Sequence, residues 1–171
     1  MIIDAQINDQ PFSGDYLERI YDIPSPWNTQ GWTWIKFTEE DLTEWYGNFR
    51  GFPHSVASSV KHQLILVLTS DYLFKINRSS GELLGYEPQS DYRCLTASPA
   101  GDFIVADYYN IYLLHPDLQS VTSIPSPVEL DMIEFKGWKG NKLQINCIEF
   151  LSEDIPLALE LDGERLEISV R

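Results

Sequence analysis

Cysteine is scarce: Cys94 and Cys147 are the only two in 171 residues, and they form no CxxC pair. That count excludes a multi-disulfide scaffold. Each cysteine sits inside an apolar strand-like run, so buried free thiols are the expected state, with a single disulfide as the alternative. Histidine is as sparse. His54, His62 and His115 show no HxxxH or HExxH spacing, so no metal site is expected and each reads as a surface or capping residue. Basic residues are also few. Twelve Lys and Arg face 26 Asp and Glu, a net charge of −14. Nucleic acid and anionic membrane surfaces would repel such a chain. The charge serves solubility, and it permits a basic partner. The longest aliphatic run, Leu64 to Leu68, is far short of the roughly 20 residues of a membrane helix. The start, Met1-Ile2-Ile3-Asp4-Ala5, has neither a basic nor an apolar leader region, so no signal peptide is expected and the cytoplasm is the expected compartment. No GxSxG elbow and no GxGxxG or GxxxxGK[ST] phosphate loop is present, so neither an enzyme nor a cofactor is expected.

What the chain does have is turns and short strands. Its length fits a single domain over residues 1–171, and ten Gly with ten Pro favour short strands over long helices. The organising stretch is Asp102 to Tyr108, echoed by Leu64 to Ser70 and by Leu143 to Phe150. Around each, strand-like runs alternate with Gly, Ser and Asn turns. Upstream come Tyr72 to Asn77 and Glu82 to Tyr86. Then follow Tyr92 to Ser98, Ile111 to His115 and Val121 to Ile124, and last Met132 to Trp138, Leu157 to Leu161, a tight Asp162-Gly163 turn and Arg165 to Val170. The second strands begin at Leu64, Phe103 and Leu143, at intervals of about 40 residues. In the third unit, extra residues precede Leu157. A period of about 40 residues is that of propeller blades. The run Leu95 to Ala106, followed by Ile111 to Leu114, resembles one blade of a WD-type or related β-propeller, without the Gly-His or Trp-Asp pair of a WD repeat.

Three such units, over residues 54–171, are too few for an ordinary propeller. The expectation is therefore all-β, with antiparallel meanders forming a sandwich or open barrel ahead of a partial propeller. Leu64 to Leu68, apolar on both faces, is expected to be central. The alternating Leu157, Leu159, Leu161 and Leu166, Ile168, Val170 are expected to form an edge hairpin with one wet face.

Residues 1–53 read differently. Positions 1–31 are expected to be irregular, with a short helix over Asp15 to Tyr21. Trp32 to Phe37 reads as a strand with the two tryptophans on one side and Thr33, Ile35 and Phe37 on the other. The acidic Thr38 to Glu44 reads as a hairpin tip rather than a helix start, because Gly47, Asn48 and Gly51 among the following rings are poor helix formers.

Aromatic clustering is the main functional signal. Four of five tryptophans, Trp27, Trp32, Trp34 and Trp45, fall within nineteen positions. Large rings commonly form a core. Where exposed, they and arginine are the usual anchors of protein interfaces. The candidate binding residues are thus Trp27, Trp32, Trp34, Trp45, Tyr46 and Arg50, with the acidic Glu39, Glu40 and Asp41. Tyr92, Tyr108, Tyr109 and Tyr112 make a second aromatic patch. The function read from these features is a non-enzymatic acidic module that binds another, basic, protein. In size and charge it resembles acidic bacterial immunity proteins, which implies an inhibitor. One alternative is a sugar-binding or glycoside-processing module with exposed Trp and a carboxylate pair such as Asp102 with Asp107. Another is a homodimer joined through apolar edges.

Overall fold

The computed structural model describes residues 1–88, 91–151 and 155–171, and every regular element in them is a strand. Among these residues no helix is long and apolar enough to cross a membrane. Among the described residues the strands form four four-stranded sheets, and none closes into a barrel. Contacts divide the chain into two compact units, Met1–Ser90 and Asp91–Arg171.

In the first unit, one sheet is built from β1 (Ile2–Asn8), β2 (Leu17–Tyr21), β3 (Trp32–Glu39) and β4 (Glu44–Arg50), in the order β1-β3-β4-β2. The hairpin of β3 and β4 forms as expected, with Phe37 opposite Trp45 and Trp32 opposite Arg50. The expected irregularity of residues 1–31 and the helix over Asp15 to Tyr21 are corrected by the structure. Two strands lie there, and β2 runs parallel to β4. The sequence Leu-Glu-Arg-Ile-Tyr satisfies period two as well as a helical stripe. Pairing with β4 decides for the strand, because it sends Arg19 and Tyr21 inward and Glu18 and Ile20 outward.

The second sheet of this unit is the meander β5 (Pro53–Ser59), β6 (Leu64–Thr69), β7 (Tyr72–Asn77) and β8 (Leu83–Pro88). All of β6 is buried, as its continuous apolar run predicts. Ile35, Phe37, Trp45, Phe49 and Tyr21 of the first sheet share a core with Ile65, Val67, Phe74 and Ile76 of the second. Phe49 meets Phe74 edge-on at 5.2 Å.

The second unit repeats the meander twice. One sheet is β9 (Cys94–Ala97), β10 (Phe103–Ala106), β11 (Ile111–Leu114) and β12 (Val121–Ile124). The other is β13 (Leu130–Lys139), β14 (Lys142–Glu149), β15 (Pro156–Asp162) and β16 (Ile168–Val170). Ile104, Ala106 and Ile111 of one sheet pack with Leu143, Ile145, Leu159 and Leu161 of the other. The edge position of β16 is as expected. Its turn is wider than Asp162-Gly163: Asp162 Oδ1 accepts from the amides of Glu164 and Arg165 at 2.9 and 3.0 Å, and β16 begins only at Ile168. The extra residues of the third repeat fall between β14 and β15, where 152–154 lie outside the described residues. Both cysteines are buried and free, and burial pushes both thiols up from their ordinary pKa.

Candidate functional site: the outer face of the β1-β3-β4-β2 sheet

The pleat of the first sheet sorts the candidate residues. On β3, Thr33, Ile35 and Phe37 are buried, and Trp32, Trp34 and Lys36 alternate with them on the outer face. Register carries this across the sheet. Trp34 lies opposite Asn8 of β1 and Asn48 of β4, and Asn48 lies opposite Ile20 of β2. A band of Asn8, Trp34, Asn48 and Ile20 therefore crosses all four strands, with Ile20 68% exposed.

Above this band, Arg50 lies over the Trp32 ring at 3.7 Å from its centroid. Its Nε and Nη2 donate to Asp22 Oδ1 and Oδ2 at 2.9 and 3.0 Å. The hydrogen bonds from Arg50 hold the Asp22 carboxyl below its ordinary pKa. A stacked, bidentate guanidinium has little freedom left, so Trp32 is fixed in place. Below the band, Tyr46 is covered by Tyr16, edge-on at 5.0 Å, and Lys36 donates to Glu44 at 3.2 Å.

Asn48 Oδ1 is buried in the middle of this face and has no hydrogen-bond partner among the described residues. A buried acceptor left unmade costs about 1–3 kcal/mol, so such an atom in a native protein needs a reason.

Of the nine candidate residues, Trp32, Trp34, Tyr46 and Arg50 are brought together here. Trp45 is not. It points inward, stacked on Phe37 at 4.3 Å, with Arg19 at 4.4 Å over its ring and its Nε1 donating to Glu39 Oε1 at 3.0 Å. Trp27 stands apart in the loop before β3, 91% exposed. Glu39, Glu40 and Asp41 form the hairpin tip. Glu39 and Glu40 lie 3.0 and 3.6 Å from the Met1 amino group, and Asp41 accepts from the Thr43 amide and hydroxyl at 3.0 and 2.6 Å. Glu40 and Asp41 stay exposed, whereas Glu39 is half-buried.

Sequence reasoning missed Ile20, Asp22 and Asn48. The period-two alternation of Leu17 to Tyr21 was the available signal for Ile20. Nothing local marks Asn48, because its placement depends on β2 closing the sheet beside it. In the second aromatic patch, Tyr92 meets Tyr112 edge-on at 6.4 Å and Tyr108 meets Tyr109 at 6.2 Å. Asp102 and Asp107 flank β10 at its two ends. Among the described residues no group of three His, Cys, Asp or Glu converges on a metal-sized site.

No family model matches the chain, and no curated protein matches it. Among solved structures, it is similar to a chain in an S. cerevisiae complex of a Dbp5 variant with Nup159, a Gle1 variant, IP6 and ADP. That match has 9% identity and a TM-score of 0.46, over 71% of this chain and 34% of the other. It is also similar to a luciferin-regenerating enzyme at 13% identity and a TM-score of 0.42, over 68% of this chain and 44% of that one. This chain thus spans less than half the length of either, and similarities of this size bear on neither activity nor partner.

Proposed function

We propose that the chain is a non-enzymatic, acidic protein-binding module of the inhibitor type, and that the outer face of the β1-β3-β4-β2 sheet receives a basic protein. The observation that carries this reading is the orphaned Asn48 Oδ1, flanked by Trp34 and by the exposed Ile20. Oδ1 itself is covered, and a turn of the half-buried Asn48 side chain presents it to an N–H donor from a partner, with the surrounding apolar surface excluding water from the bond. Asp4, Glu18, Asp22 and Glu44 border the face, and with the net charge of −14 they favour rapid encounter with a positively charged target. Three consecutive four-stranded meanders, each the length of a propeller blade, support reading their sheets as propeller-like. The free thiols of Cys94 and Cys147 suit the cytoplasm.

The test is capture of partners from lysate of the cell of origin at low and high salt, with the parent chain and with Asn48→Val and Ile20→Asp variants. The parent is expected to retain one basic protein, released as salt screens the attraction, and both variants are expected to lose it. Retention by both variants overturns the assignment to this face.

A further inference from the structure

The second unit holds a cleft of about 500 Å³ that none of the sequence candidates was chosen for. It opens at one end of the two sheets. The turn between β10 and β11 supplies Tyr109 and Asn110, the connection from β12 to β13 supplies Pro125, Val128 and Glu129, and Phe150 closes it just past β14. Its volume is in the range of small-ligand sites.

The walls combine aliphatic and aromatic side chains with the polar Asn110, Ser123 and Ser126. Tyr109 and Phe150 meet edge to face with centroids 6.0 Å apart, so their contact occupies one face of one ring and leaves the others open, and the residues remain 53% and 41% exposed. Neither ring carries a cation among the described residues. The neighbouring Tyr108 does, because Arg93 lies 4.8 Å from its centroid. The lining includes the carboxylate residue Glu129 and no Lys or Arg. Glu129 forms no ion pair among the described residues. Open aromatic faces, aliphatic walls and one free carboxylate are the complement of a side chain with a long apolar stem and a planar cationic head.

We infer that this cleft seats an arginine side chain of a basic partner polypeptide. The methylene stem lies along Pro125 and Val128, the guanidinium stacks on Tyr109 or Phe150, and its N–H groups donate to the Glu129 carboxylate. Arginine suits this place better than lysine because a planar guanidinium stacks and donates at the same time. Among the described residues the chain itself uses that contact three times, with Arg50 on Trp32, Arg19 on Trp45 and Arg93 on Tyr108. The inference deepens the proposed function and rests on it for the partner, while the cleft is tested by itself.

The test is an NMR titration of the full ¹⁵N-labelled chain with N-acetyl-arginine methylamide, with the norleucine analogue as the neutral, equally apolar control. Saturable shifts confined to the amides around 109–111, 123–130 and 150 are expected for arginine and not for norleucine. Glu129→Gln, at an exposed position that leaves the fold intact, is expected to weaken the arginine probe about fivefold. Equal binding of the norleucine analogue, unchanged affinity in Glu129→Gln, or no response of these amides overturns the inference. Loss of the captured protein in Asn48→Val with normal arginine binding here places the two sites on separate grounds. An arginine probe that binds while the parent chain captures no basic protein removes the partner reading and leaves an arginine-binding cleft.

Discussion

Trp45 and Gly47 show how closely the first core is filled. Trp45 is 4% exposed, and its stack on Phe37 and cap by Arg19 leave nothing to replace it. Trp45→Ala is expected to cost about 3–5 kcal/mol in urea unfolding, whereas Trp27→Ala should stay within about 0.5 kcal/mol. Beside Trp45, a Cβ on Gly47 would lie 2.6 Å from the Phe49 ring and 2.8 Å from that of Phe37. Gly47→Ala is therefore expected to lose about 1–3 kcal/mol through overpacking, measured in the same way. Asn48, one residue on, should behave in the opposite manner. Replacing an orphaned buried polar group by an apolar one removes a desolvation cost, so Asn48→Val is expected to be as stable as the parent or more so while it loses the partner. Of these residues, the sequence singled out Trp45, but only its inward direction decides that it stabilises the core rather than an interface.

At the scale of the element, β2 is the strand that completes the candidate face. It is an edge strand held by side chains from its middle to just past its C-terminal end. Arg19 Nη1 donates to the Ser80 carbonyl at 2.7 Å, the Tyr21 hydroxyl donates to the Gly81 carbonyl at 2.6 Å, and Asp22 receives Arg50. Asp22 has a folded-state pKa below its unfolded value, so its contribution is fully present above about pH 4 and is lost as pH falls through the folded value. The Asp22 side chain is 37% exposed, which keeps the pair in the range of ~0.2–1 kcal/mol. Asp22→Asn is thus expected to be less stable than the parent at pH 7, with the difference vanishing on acidification below about pH 4 and shrinking in high salt. Urea titrations across pH test this. An equal difference at pH 7 and pH 3 would mean that Asp22 acts by packing rather than by charge.

At the scale of the whole molecule, 26 acidic against 12 basic residues make self-repulsion a general term in the folded state. Added salt screens it over about 10 Å at 0.1 M. The melting temperature is expected to rise with sodium chloride, by ~2–4 °C for each kcal/mol of repulsion removed in a chain of this size. A fall would mean that local pairs such as Arg50 with Asp22 and Lys142 with Glu160 outweigh the general repulsion.

The all-β class, the three successive meanders, the central place of Leu64 to Leu68 and the β3–β4 hairpin were legible in the sequence. Each depends on local signals, namely period-two alternation and turn residues, which act over a few positions. Local signals also divided Trp32 and Trp34 from Thr33, Ile35 and Phe37. They did not say which set lies inside. The tertiary structure turned the smaller set inward, because Ile35 and Phe37 meet the rings of Tyr21, Phe49 and Phe74 in one core, and it left both tryptophans on the outer face. It also made a parallel strand of Leu17 to Tyr21, since a five-residue segment that fits two periodicities takes the one its neighbour can hydrogen-bond. Asn48 gains its significance only there, as an acceptor buried between two strands that no local pattern brings together.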